Sequence, residues 1–303
     1  MCVDCPDCVA FIVGTSQVGL FSPDGNCQYS LAPLPPSPIG MGFLTMALMS
    51  KQILACGGTN NTNCFLYDAA IDQWSIYSAG HFVHTERRGV VHQGKIYLPD
   101  DTNPEVFDPI TKTWSLWSAP LFSVDSACFV SWKNVILGFG GDSNKLRVSK
   151  FDPTTNAWSA LSPSSPPMEL DHSSCAVLSD MNVLLAGSSS LAWNYKKFAV
   201  YNVTSNTWPL TTNATVNLYH SFLLILGNRF FTIPHNAYST VTEYIYTSNT
   251  ASNMKTLLNL SRPFFAGSIS APASWFAHLP NDCIGVHKQS DISQEHRIIE
   301  FFD

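Results

Sequence analysis

Charge is what this sequence has least of: Asp, Glu, Lys and Arg make up 13% of its 303 residues, about half of what a soluble domain usually carries. The balance is acidic, with a formal net charge of -6. That disfavours attraction to nucleic acid or to an anionic membrane surface. No run approaches the roughly 18 apolar residues that cross a bilayer as a helix, so no transmembrane segment is expected. The start, Met1-Cys2-Val3-Asp4-Cys5-Pro6, lacks the basic segment and apolar core of a secretory leader. It reads as a cytosolic protein or as a piece of something longer. Cysteine is too sparse for a small disulfide framework. The nine positions are 2, 5, 8, 27, 56, 64, 128, 175 and 283, and the odd count leaves at least one thiol free or bonded to another chain.

What is present is a repeat. An aromatic residue, then Asp or Asn, then Trp six residues on, recurs as Tyr67-Asp68 to Trp74, Phe107-Asp108 to Trp114, Phe151-Asp152 to Trp158 and Tyr201-Asn202 to Trp208. The copies stand 40 to 50 residues apart. Between the anchors lie Pro-Ile-Thr-Lys-Thr, Pro-Thr-Thr-Asn-Ala and Val-Thr-Ser-Asn-Thr, polar turn chemistry that predicts a hairpin. Upstream come short apolar runs, Ile53-Leu54-Ala55, Ile96-Tyr97-Leu98, Val135-Ile136-Leu137 and Val183-Leu184-Leu185. Two of them lead into the glycine pairs Gly57-Gly58 and Gly140-Gly141, which allow a tight turn or a close approach to a neighbour. A third run, such as Ala127-Cys128-Phe129-Val130 or Cys175-Ala176-Val177-Leu178, lies further upstream. Four short strands per unit at this period read as a propeller blade.

With these residues the chain resembles the kelch-repeat family, in the glycine pair, the aromatic-Asp about ten residues later and the Trp after a polar turn. The resemblance covers essentially the whole chain, with the Trp in four units and degenerate units outside them. Phe11-Ile-Val-Gly-Thr15, Val18-Gly-Leu-Phe-Ser-Pro23 and Cys27-Gln-Tyr-Ser-Leu31 read as a first unit without an innermost strand. Phe230-Phe-Thr-Ile233 and Thr242-Glu-Tyr-Ile-Tyr246 read as a sixth, with Met254 near the Trp position. Cys283-Ile-Gly-Val286 and Arg297-Ile-Ile-Glu-Phe301 read as a seventh. The expected fold is an all-β, kelch-type β-propeller of four-stranded blades over residues 1–303. Seven blades are favoured, six are the alternative, and the termini close the ring, with residues 2–9 as the candidate closing strand. The Trp and Tyr/Phe anchors are expected to fill the spaces between blades.

Kelch propellers mostly bind other proteins through the loops that precede each innermost strand and link the middle strands. The resemblance therefore implies partner-binding residues at Glu86, Arg87, Arg88, Asp125, Glu169, Asp171, His172, Tyr219, His220 and Arg262. Loops of this kind vary freely on a rigid scaffold, and Arg, Tyr and His supply both area and directional bonds. Glu169, Asp171 and His172 can each ligate a metal, but near-neighbours in one loop rarely converge on one ion, so no metal is expected there. Cys2, Cys5 and Cys8 have the spacing of a partial iron–sulfur or zinc site. They lack a fourth ligand and have Pro6 among them, so a disulfide or a disordered end is preferred. Cys56 and Cys64 flank a hairpin and are the favoured disulfide. Cys128 and Cys175 occupy one place in two successive innermost strands and read as small buried residues. Sequons stand at Asn60, Asn202, Asn213 and Asn259, a number that chance alone would supply at this composition.

These features point to a non-enzymatic binding or scaffold module with no cofactor, acting in adhesion, matrix or filament assembly. It is read as a secreted or surface glycoprotein, with a protein partner, self-assembly or a glycan as its ligand. The alternatives are a cytoplasmic kelch adaptor that recruits a protein through its loop face and, as a minor one, a copper enzyme similar to galactose oxidase. No local motif supports the last, and the iron motif of plant specifier proteins is absent. Fold alone would not license an activity.

Overall fold

The aromatic-Asp pair and its Trp are the two ends of a hairpin. Asp68, Asp108, Asp152 and Asn202 each turn the chain by accepting a backbone N–H at Oδ1, from Ala70 (2.9 Å), Ile110 (3.0 Å), Thr154 (2.9 Å) and Ser205 (2.8 Å) respectively. The last turn residue is left-handed in every copy: Asp72, Lys112, Asn156 and Asn206, with φ of 52, 57, 50 and 57°. Short polar side chains tolerate that conformation best. The Thr154 hydroxyl and backbone N–H hold the Asp152 carboxyl below its ordinary range. Beyond the turn the Trp returns opposite the aromatic, as Tyr67↔Trp74, Phe107↔Trp114 and Phe151↔Trp158.

The computed structural model describes residues 8–276 except 15–17, 22–27, 33–39, 85–87, 142–144, 162–165, 190–193, 215–217, 219–220, 227–228, 234–239, 248–249 and 260–264. Among the described residues the strands form six four-stranded antiparallel sheets. The first sheet holds β1 (Cys8–Gly14), β2 (Val18–Phe21) and β3 (Gln28–Leu31), and the second β4 (Gly40–Met49), β5 (Gln52–Thr59), β6 (Asn63–Asp68) and β7 (Gln73–Ala79). The third holds β8 (Val90–His92), β9 (Lys95–Leu98), β10 (Glu105–Asp108) and β11 (Thr113–Leu116). The fourth holds β12 (Cys128–Trp132), β13 (Val135–Phe139), β14 (Val148–Asp152) and β15 (Ala157–Leu161). The fifth holds β16 (Asp171–Val177), β17 (Asn182–Ser189), β18 (Asn194–Asn202) and β19 (Thr207–Asn213). The sixth holds β20 (Phe222–Leu226), β21 (Arg229–Ile233), β22 (Thr240–Thr247) and β23 (Thr250–Asn259). A last strand, β24 (Phe265–Pro272), pairs with β1 and supplies the innermost strand that the first sheet lacks.

This pairing makes a propeller and corrects the expectation of seven blades. The inner strands β24, β4, β8, β12, β16 and β20 each meet the next, and β20 meets β24 again. The ring closes through backbone hydrogen bonds between β24 and β1, from Cys8↔Pro272 to Gly14↔Phe265, which leaves no gap for another sheet. Residues 2–7 of the expected closing strand and the segments 283–286 and 297–301 lie outside the described residues.

The core lies in the seams between blades. One cluster joins Ala47, Leu54 and Cys56 of the second sheet to Ile96, Leu98 and Phe107 of the third. Another joins Val130, Leu137 and Phe139 of the fourth to Val183, Leu185 and Tyr201 of the fifth. The repeat's first aromatic is fully buried, with Tyr67, Phe107, Phe151 and Tyr201 each at 0–1% exposure. The Trp is half-buried, and in three of the four copies it acts as a pin to the preceding blade, Trp208 being the exception. Its indole N–H donates to the Ala32 carbonyl from Trp74 (3.0 Å), to Ser78 Oγ from Trp114 (3.0 Å) and to the Ser118 carbonyl from Trp158 (2.9 Å). In two seams the left-handed turn residue completes a clamp: Asp72 Oδ1 accepts the Ala32 N–H and Asn156 Oδ1 the Ser118 N–H. Trp158→Ala is expected to lower stability by about 3 kcal/mol, the low end for a large aromatic because one face is solvated. The midpoint of urea unfolding checks it; an unchanged midpoint would refute the pin.

Candidate functional site

Antiparallel order puts the segments before each inner strand and the middle-strand connections at one end of the disc, facing the channel mouth. The structure places five of the expected binding residues there and ties most of them to protein groups. Arg88 precedes β8 in the third blade, and Ser221 precedes β20 in the sixth, three places round the ring. The Arg88 guanidinium crosses the channel to the Ser221 carbonyl (2.8 Å) and lies over the Phe222 ring at 4.8 Å. Burial pushes it down to about 9, still charged at neutral pH. It therefore straps the mouth of the channel, a role that a loop residue on a solvated rim would not have.

In three successive blades a buried apolar residue opens the turn into the inner strand: Val124, Leu170 and Leu218, at 2%, 0% and 0% exposure. The turn closes three residues later, by Ala127 N–H to Val124 O (3.0 Å) and Ser221 N–H to Leu218 O (3.0 Å). In the two turns described throughout, two residues lie between. These are Asp125-Ser126 in the fourth blade and Asp171-His172 in the fifth, and the second of each pair is left-handed (φ 62° and 48°). At Asp171-His172 the ladder with β17 also slips register before Ser174.

Lys145, from the β13–β14 connection, gathers the acidic pair of the next blade. Its Nζ is 2.9 Å from Asp171 Oδ2 and 3.7 Å from Glu169 Oε2, while His172 Nδ1 is 2.6 Å from Asp171 Oδ1. The same seam is laced by backbone, with Gly141 N–H to Leu170 O (3.2 Å) and Leu170 N–H to Lys145 O (2.8 Å). Here the glycine pair has its use. A Cβ on Gly140, at φ +68°, would stand 1.9 Å from the Leu170 carbonyl oxygen.

Glu105 is the group that the sequence reading missed. At the start of β10, it has no solvent exposure and accepts four bonds from the β7–β8 connection. Oε1 takes His81 Nδ1 (2.7 Å) and the His81 N–H (3.2 Å); Oε2 takes the Phe82 N–H (3.1 Å) and His84 Nε2 (3.1 Å). Burial raises its carboxyl, but the bonds from His81, His84 and Phe82 outweigh this and hold it below the usual range. The available signal was its place two residues before Phe107, where other copies carry Phe65, Ser149 and Ala199. Period-two alternation turns that position inward with the buried aromatic. Lys145 gave no such signal.

Apolar side chains stand out from the same connections: Val83 at 40% exposure, Leu121 at 50% and Leu146 at 50%. A crevice with room for about one water lies among Phe122, Val124, Gly140 and Arg147, and the Arg147 guanidinium lies over the Phe122 ring at 5.1 Å. Among the described residues no group of three His, Cys, Asp or Glu is placed to hold a metal, and no helix is long and apolar enough to cross a membrane. Glu86, Arg87, Tyr219, His220 and Arg262 lie outside the described residues.

Of the sequons, Asn60 is exposed at the tip of the β5–β6 turn and Asn213 is exposed at the end of β19. Asn202 Nδ2, the atom a glycan would modify, donates to Asn182 Oδ1 (3.1 Å). Asn259 ends β23, and its side chain is not described. Cys56 and Cys64 face one another across β5 and β6 and form the expected disulfide, Cα–Cα 4.2 Å. Cys128 and Cys175 are corrected from separate buried residues to a second disulfide, Cα–Cα 5.9 Å, between the inner strands of the fourth and fifth blades. Equivalent places on adjacent inner strands bring the two sulfurs together, which sequence distance conceals.

No family model matches the chain. No curated protein matches it by sequence. A solved structure titled "Structure of YjhT" is similar to it with a TM-score of 0.67 at 15% identity, over 82% of this chain and 95% of that one. At that identity the likeness establishes the β-propeller fold and nothing about the chemistry.

Proposed function

We propose that the protein is a non-enzymatic binding module, a divergent kelch-type propeller that docks a protein partner on the loop face around its strapped channel. The Arg88 bridge to Ser221 carries this reading. With the mouth crossed by the Arg88 guanidinium, the surface on offer is the surrounding rim, where Val83, Leu121 and Leu146 project from loops pinned by Glu105, Asp101 and Lys145 respectively. Preset loops bearing exposed apolar groups lose little freedom on docking. Two disulfides support an oxidising compartment, and with exposed sequons at Asn60 and Asn213 they favour work outside the cell in adhesion or matrix assembly.

A photo-crosslinking residue tests it. Placed at Leu146 in native material, it is expected to capture a discrete protein partner. Placed at Ile110, 74% exposed on the turn at the opposite end of the strands, it is expected to capture none. Equal capture at both positions would overturn the loop-face reading. Intact mass before and after removal of N-glycans tests the compartment: fully reduced, unmodified protein would move it to the cytosolic adaptor reading.

A further inference from the structure

The two disulfides differ in where they sit and what surrounds them. Cys56 and Cys64 are both at 0% exposure and join neighbouring strands of one blade. Cys128–Cys175 joins two blades, β12 to β16, and its halves are unequal. Cys128 is buried at 2%, while Cys175 is partly exposed. The buried Ser173 hydroxyl lies 3.7 Å from Cys128 Sγ as a donor, with the Leu170 carbonyl as its other acceptor at 3.5 Å. Just ahead of Cys175 the strand is irregular, with its register shift and left-handed His172. Ser174 Oγ beside it is buried without a hydrogen-bond partner.

We infer that Cys128–Cys175 is a thiol-addressable clasp between the fourth and fifth blades, opened by a small dithiol reductant attacking at Cys175. The reductant's thiolate attacks Cys175 Sγ. The Sγ–Sγ bond breaks, and Cys128 leaves as a thiolate that receives the Ser173 hydroxyl hydrogen bond, which favours it as the leaving group. The reductant's second thiolate then displaces Cys175 from the mixed disulfide. Two electrons and two protons pass to the protein, giving two thiols and the reductant's disulfide. The opened seam keeps the Lys145–Asp171 ion pair and the backbone bonds at Leu170, so the ring stays closed while the strand around Cys175, at 173–177, gains freedom. The inference is independent of the loop-face reading, because it concerns the seam and not its partner.

Graded dithiothreitol on the native full chain, quenched by alkylation and read by peptide mass, tests it. Cys128 and Cys175 are expected to become labelled at concentrations that leave Cys56 and Cys64 oxidised. A glutathione pulse is expected to leave its adduct on Cys175, and Ser173→Ala to slow opening several-fold with no change at Cys56–Cys64. Amide hydrogen exchange over 173–177 is expected to rise on reduction, with the Leu170 amide still protected. Opening of both pairs at one rate would signal global unfolding and overturn the clasp, as would a glutathione adduct on Cys128 or unchanged exchange.

Discussion

Glu105→Ala is expected to destabilise the protein by about 3 kcal/mol, because it removes the acceptor of four donors at once, among them the buried His84 imidazole. The carboxylate has no solvent exposure and takes the backbone N–H groups of His81 and Phe82 as well as both imidazoles. Glu105→Gln keeps the shape and removes the charge, so its loss should be smaller. The pH dependence follows from the lowered carboxyl. A group whose folded pKa is depressed contributes fully above its unfolded value of about 4.3. That contribution fades as pH falls through the folded value. The gap between the unfolding midpoints of the parent protein and Glu105→Gln is therefore expected to be constant from neutral pH down to about 5, and to close below that. A gap independent of pH to well below 4 would show that the carboxylate's charge is not what holds the loop.

Gly140→Ala is the second large effect, expected at roughly 3 kcal/mol or more. Two costs combine. The left-handed conformation at φ +68° costs an L-residue about 1–2 kcal/mol, and the new methyl would overlap the Leu170 carbonyl oxygen at 1.9 Å. The contact is to backbone of the next blade, so relief requires the whole seam to part, with Gly141–Leu170 and Leu170–Lys145 bonds at stake. Gly94 separates the two costs: it has φ +74° and nothing within 4 Å of its would-be Cβ. Gly94→Ala should thus lose only the conformational part, about 1–2 kcal/mol. Equal midpoints for the two variants in urea would refute the close approach.

The repeat was legible because its signals are local. An Asp that accepts the N–H of a residue two places on, a left-handed Asn or Lys and a returning Trp are all written within eight positions, and the hairpins at 67–74, 107–114 and 151–158 form as they read. The Cys56–Cys64 pair was legible for the same reason, since a hairpin fixes which residues face each other. The Trp was less well read. It was expected to fill the space between blades, yet at Trp74, Trp114 and Trp158 it also makes a hydrogen bond to the previous blade and stays partly in solvent.

Blade count and site were not local questions. Residues 283–286 and 297–301 read as strands of a further unit, but whether a ring admits another blade depends on where β24 finds its partner. It finds β1, more than 250 residues earlier in the chain. The loop residues were chosen by their place before the inner strands and between the middle ones, and place in the sequence cannot say which charges are already paired. Arg88 reaches Ser221 across the ring, Lys145 holds Glu169 and Asp171 across a seam, and Cys128 meets Cys175 on adjacent inner strands. The sequence by itself determined the blade, through turn and strand chemistry acting over a few residues. Tertiary structure alone decided the ring, the strap and the clasp, because each joins groups that become neighbours only when separately formed sheets pack face to face.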